Sequence, residues 1–319
     1  MTASFLHADD YIILMIPAFS DQYWSLDMLR SVQEVGVKTV MRYVVWKDIE
    51  TAPGEYHWDI MHQRIEEDRQ AGLKTIVNVY TSAPAFFPEE FYVHAAVGGL
   101  RLTWWAYPNL LTSWGPGYEV HLGFLKRCCE ILNSTDVLCM RGTCEGGEVM
   151  FPHDPFPAIP NHFNLHKLAV EVMLQEQEIF HASTPYPDLF TQLHHIADRH
   201  EQCCTTDTER IYSALREKFP DMIHDNITYS LLPGHPGIGK HLEDMKRFGY
   251  RGFVGSEYCQ HLVEHTPRAM ELGFAGFLTA PIHPFLLPGT TLEPWMVQAL
   301  SESIGQWRAA ALARETHHD

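Results

Sequence analysis

Eight short apolar runs alternate with segments of helical period along the whole of this sequence. The runs cover 11–19, 38–46, 74–80, 136–147, 188–196, 226–234, 251–258 and 274–283. Between them, apolar residues recur three and four positions apart. Leu26, Leu29, Val32 and Val35 do so after the first run, and Leu165, Leu168, Ala169, Val172 and Ile179 do so after the N-cap candidate Asn161. Strands separated by helices pair in parallel, because each helix returns the chain to the end where the last strand began. Eight such units predict a closed α/β (β/α)8 barrel, the TIM barrel, which takes about 250 residues. The 319 residues therefore read as a single domain, 1–319. An open doubly wound sheet would call for a glycine-rich turn after the first strand, and Pro17-Ala18-Phe19-Ser20-Asp21 stands there instead. One connection, 81–116, is far longer than the rest. Loops of that length are functional or disordered, and the aromatic content of this one argues against disorder.

The formal net charge of −17 excludes nucleic acid and anionic membranes as partners, since both demand a basic face. The 7 cysteines are an odd number and include the adjacent pairs Cys128–Cys129 and Cys203–Cys204. They read as buried reduced side chains rather than a disulfide framework. The first apolar run has no basic residues before it and is too short to span a bilayer. The expected location is the cytoplasm, or outside the cell if a signal peptide has been removed.

Barrel enzymes carry their chemistry at the C-terminal ends of the strands. In order, those ends offer Asp21 and Tyr23, Arg42 to Trp46, Asn78 and Tyr80, Glu145, His194 and His195, Tyr229, Glu257, and His283. Glu145 and Glu257 fall on strands four and seven, across the mouth from each other. Paired carboxyls are what glycosidic cleavage needs: one protonated to assist the leaving oxygen, one ionised to attack or to stabilise the developing cation. The plainer reading of Glu145 is a solvated loop acid, with Glu148 as a rival. Glu257 ends an apolar strand, where a lone acid has little structural purpose.

The segments VGVKTVMRYVVWKDIETAPGEYHWD (35–59) and LKTIVNVYTSAPAFFP (73–88) resemble the second and third strands of clan A retaining glycoside hydrolases, in particular the β-galactosidase-like members. The resemblance implies a (β/α)8 barrel that cleaves sugars by double displacement. It implies Glu257 as nucleophile, Glu145 as acid/base, Arg42 as the residue steadying the nucleophile, and Tyr229 as a hydrogen-bonding partner. Two positions depart from the family's pattern. Cys144 precedes Glu145 where an Asn that binds the sugar 2-hydroxyl is usual, and a thiol is too weak a donor and acceptor to replace an amide. Pro281-Ile282-His283 stands where a Trp is frequent.

Arg42 also has a case of its own. An arginine inside an apolar strand must be paired, either with the acid across the mouth or in a structural ion pair with another acid. Trp104, Trp105, Tyr107 and Trp114 crowd the long loop together with Phe86 and Phe87. As a group they read as sugar-stacking platforms or as a small satellite core. Trp46 is the best single platform candidate, because it ends a strand. Neither HxH nor HExxH occurs, so no metal and no cofactor is expected, and His194 and His283 read as hydroxyl-binding groups. GHPGIG (234–239) reads as a turn and helix start. Two further readings stay open: a carbohydrate-binding or transglycosylating barrel with little hydrolysis, and a metal-dependent hydrolase or isomerase using His194, His195 and His283.

Overall fold

A computed structural model describes residues 5–16, 21–79, 83–91, 103–104, 107–108, 116–141, 175–187, 189, 191–193, 223–225, 252–280 and 292–316. Eight strands form one sheet: β1 (Ile12–Ile16), β2 (Thr39–Val44), β3 (Lys74–Val79), β4 (Val137–Arg141), β5 (Thr191–Leu193), β6 (Ile223–Asp225), β7 (Phe253–Tyr258) and β8 (Gly276–Ala280). The hydrogen-bonded order runs β6-β5-β4-β3-β2-β1-β8-β7, and every pair is parallel. The two end strands, β6 and β7, approach within 8 Å between Cα atoms. This is the strand order of a sheet rolled into a (β/α)8 barrel. Strand six is described at Ile223–Asp225; the apolar run 226–234 that the sequence predicts for it lies outside the described residues. The triplet Ile-His-Asp carries no apolar signal of its own.

Helices α1 (Leu26–Glu34), α2 (Asp59–Gln70), α3 (Pro116–Leu132), α4 (Leu262–Leu272) and α5 (Pro294–Glu315) connect and cover the strands. Ser25 caps α1 by accepting from the amide of Met28 at 3.2 Å, which satisfies one of the amides a helix start leaves unpaired. The face Met28, Leu29 and Val32 is then buried against the outside of β1 and β2. Along α3, Phe124, Leu125, Cys128, Cys129 and Leu132 pack against the outside of β2, β3 and β4. The described cysteines, Cys128, Cys129, Cys139 and Cys259, form no disulfide and are buried, as their scattered placement predicts. Among the described residues no helix is long and apolar enough to cross a membrane.

Strand alternation sorts the side chains into two sets. Ile13, Met15, Met41, Ile76, Leu138, Met140, Phe253 and Leu278 meet inside the barrel. Ile12, Leu14, Ile16, Val40, Val44, Val77, Val79, Val137 and Cys139 face the helices. Each fully buried aliphatic contributes about 1.5–3 kcal/mol. Phe5 joins the interior set and meets Tyr186 edge-on, with ring centroids 5.6 Å apart. The Phe5 carbonyl accepts from Lys74, the first residue of β3. The N-terminal end of the barrel is thus filled.

Candidate active site at the C-terminal mouth

The register stacks the interior in layers. Met15, Met41, Ile76 and Leu138 are neighbours across β1 to β4. Two residues further along, Tyr43, Asn78 and Met140 form the next layer toward the mouth. Here polar groups enter the apolar interior. Asn78 is fully buried. Its Nδ2 lies 3.8 Å from the Met41 sulfur, and its Oδ1 has no partner among the described residues. The Tyr43 hydroxyl donates to the Met15 sulfur at 3.5 Å.

Arg42 lies on the other side of the sheet. It has the parity of Val40 and Val44, and its guanidinium meets α2. Nε and Nη2 donate to the two oxygens of Asp68, each at 2.7 Å. Nη1 donates to Asp21, which is also paired with Arg64 at 3.3 Å. Asp68 accepts further from the Thr75 hydroxyl at 2.9 Å. Burial works against the charge on Arg42, but the carboxylates of Asp68 and Asp21 outweigh it and hold the guanidinium above its ordinary pKa. Of the two pairings open at the sequence level, the structure supports the structural ion pair. The expected partnership of Arg42 with an acid across the mouth is corrected, because alternation turns residue 42 outward and Tyr43 inward.

Trp46 also differs from the expectation. It opens the single turn Trp46–Ile49, is 1% exposed, and stacks on Phe124 with centroids 4.3 Å apart and planes 7° apart. Phe87 meets it edge-on at 5.3 Å, and Nε1 donates to Glu50 Oε2 at 2.7 Å. The other oxygen of Glu50 accepts from the amide of Gly54 at 2.9 Å. This fixes the hairpin between Glu50–Ala52 and Glu55–Tyr56, where Gly54 has φ +79°. Both the ring and the acid of this segment are therefore committed to packing, and Trp46 has no face to offer a sugar. Phe87 and Phe91 pack on the same cluster, as a satellite core would. Phe86 is 37% exposed.

Glu257 lies in β7 near its C-terminal end. Opposite it, the ladder is irregular: Ser256 pairs with Thr279 and Tyr258 with Ala280. Two steps on β7 match one step on β8, so residue 257 is the extra residue of a β-bulge. Bulges gather beside active sites, where they re-aim a side chain. Trp104 belongs to a short hairpin in the long loop, pairing with Tyr107. Tyr80, Trp105, Trp114, Glu145, His194, Tyr229 and His283 lie outside the described residues, as do Cys144, Glu148 and His195. Sequence reasoning named Tyr43 only within the range Arg42 to Trp46 and overlooked Asp68. Counting parity along MRYVV from the buried Met41 would have found the first, and an i+26 acid on the next helix gives no sequence signal at all.

A parallel eight-stranded barrel with its N-terminal end filled and polar groups at its C-terminal end defines the architectural class. Solved structures share it. The chain is similar to the β-galactosidase of the psychrophilic Marinomonas ef1, at 12% identity and a TM-score of 0.65, over 96% of this chain and 60% of that one. It is similar to the β-galactosidase of the Antarctic haloarchaeon Halorubrum lacusprofundi, at 9% identity and a TM-score of 0.66, over 93% and 58%. It is similar to the catalytic domain of the β-amylase of Paenibacillus polymyxa, at 10% identity and a TM-score of 0.57, over 92% and 98%. The chain spans about three fifths of the length of each β-galactosidase. At these identities the likeness is one of fold. No protein-family model matches the sequence, and no curated protein does.

Proposed function

We propose that the chain is a retaining glycoside hydrolase acting on a carbohydrate at the C-terminal mouth of its barrel. The observation that carries this reading is the bulge at Glu257. A carboxylic acid occupies the extra residue of an irregular ladder, at the mouth end of a barrel strand. The fold neighbours, two β-galactosidases and a β-amylase, support the same class. Glu257 attacks the anomeric carbon and forms a glycosyl ester while Glu145, four positions past the end of β4 in the sequence, protonates the departing oxygen. Glu145 then takes a proton from water, which displaces Glu257 and releases the sugar. Retention needs the two carboxyls about 5 Å apart. Asn78 Oδ1 and Tyr43 would receive sugar hydroxyls one layer below, and Phe86 is the described loop aromatic with a face to stack. Trp104, Trp105, Trp114, His194, Tyr229 and His283 are proposed contacts around the same opening.

The test uses aryl glycosides, pyranosides and furanosides, with wild type, Glu257→Ala and Glu145→Ala. Both variants should lose at least about a thousandfold in kcat, of the order expected when a covalent or acid–base group is removed. Added azide should rescue both. The product from Glu257→Ala should have the inverted anomeric configuration, because azide stands in for the missing nucleophile. The product from Glu145→Ala should keep the substrate's configuration. Full turnover by Glu257→Ala without azide would overturn the assignment.

A further inference from the structure

Just beyond the bulge, the chain makes one turn (Cys259–His261) and enters α4. His261, at the cap, and Glu264 and His265, in the first turn, are spaced i, i+3 and i+4, so they share one helical face. Their ligand atoms all lie within 4.8 Å of one another. The two imidazoles are nearly parallel, with centroids 5.4 Å apart and planes 23° apart. Around a tetrahedral ion with about 2.0–2.1 Å bonds to nitrogen and oxygen, ligand atoms stand about 3.4 Å apart. The half-buried His261 and the exposed Glu264 can close that difference by side-chain rotation alone.

The surroundings have the form that metal histidines require. A ligating imidazole is held through its second nitrogen by an oxygen acceptor. The buried His265 has that contact, with Ser256 Oγ 3.3 Å from its Nδ1, which assigns Nε2 to the ion. The Gln260 amide group lies 3.0 Å from His261 Nε2; an ion bound at Nδ1 requires that amide to turn its oxygen toward Nε2–H. A helix start is electropositive and repels cations; the carboxylate of Glu264 offsets this.

The geometry points to a divalent transition-metal site formed by His261, Glu264 and His265, with zinc as its best-matched ion. Two imidazoles and one carboxylate suit zinc better than calcium or magnesium, which take oxygen ligands. Three protein ligands leave a fourth position for water. One hydrogen bond links the site to Ser256, the residue that opens the bulge at Glu257.

The full chain, stripped with chelator and dialysed against Zn2+, should hold one equivalent more than His261→Ala or Glu264→Gln does. The 20 histidines of the chain, His317 and His318 among them, contribute a background that this difference removes. Glu264 is exposed and His261 half-buried, and circular dichroism checks that both variants fold. Affinity at the site should fall more than the roughly tenfold expected for loss of an outer-shell partner. Co2+ should give the intense visible bands of a tetrahedral ion in the wild type and lose them in both variants. Equal stoichiometry and affinity in wild type and variants, or an unchanged Co2+ spectrum, would overturn the site. Neither readout depends on glycoside turnover, so the outcome is independent of the proposed activity.

Discussion

Arg42 keeps its charge at a depth where a lone cation would lose its hydration without compensation. The fork of its guanidinium matches the two oxygens of Asp68, and its remaining amine reaches Asp21. Removing one member of such a group leaves the other charge stranded, at a cost of about 3–5 kcal/mol. Arg42→Met should therefore lower the stability to urea by that amount. The double variant Arg42→Met with Asp68→Leu should recover most of the loss, because well-packed apolar side chains often replace a buried pair without penalty. A single variant as stable as wild type would show that the pair does little. Trp46 is a residue of the same kind. Its ring and its N–H are both satisfied within the wall, so the long loop begins from a fixed point.

At the scale of elements, β8 is tightly fitted at its first residue. Gly276 stands between β1 and β7, and a Cβ there would lie 2.3 Å from the Tyr11 carbonyl oxygen and 2.8 Å from the Phe253 ring. Neither neighbour is a flexible chain end. Gly276→Ala should cost at least the about 1–3 kcal/mol of ordinary overpacking, read as a lower melting temperature with near-native circular dichroism. An unchanged melting temperature would mean that the two strands part easily. This is also the scale at which the sequence was most legible. Seven of the eight strands fall within their predicted apolar runs, because consecutive buried Val, Ile and Leu leave few other readings. For the sixth, the described triplet Ile223–Asp225 directly precedes the predicted run 226–234, which lies outside the described residues. The mouth was less legible than the wall. Whether a residue faces the sugar or a helix is a matter of parity, and one step separates Arg42 from Tyr43. The HxxEH spacing of 261–265 was visible in the sequence but matched neither of the two patterns sought.

At the scale of the molecule, the two ends of the chain hold the barrel together. Residues near the N-terminus fill the bottom through Phe5, and α5 returns to cover β1 and β8. Trp307 of α5 stacks on Tyr11, with centroids 5.9 Å apart and planes 6° apart, and meets Phe277 edge-on at 5.9 Å. The first and last strands are thus joined by a ring contact as well as by their ladder. Trp307→Ala should remove about 3–5 kcal/mol from a single cooperative urea transition. Two separate transitions in the variant would show instead that the C-terminal helix unfolds as its own unit.

The bulge at Glu257 has a consequence for how this chain can change over evolutionary time. Substitutions nearby alter what the strand presents, but a one-residue deletion between Ser256 and Tyr258 would do more. It would restore an unbroken ladder with Thr279 and Ala280 and pull the whole of α4 back by one position, His261 and His265 included. Spacing in this stretch is therefore held more strictly than residue identity. Insertions and deletions should be absent from 255 to 265 even in descendants whose sequences have otherwise drifted far apart.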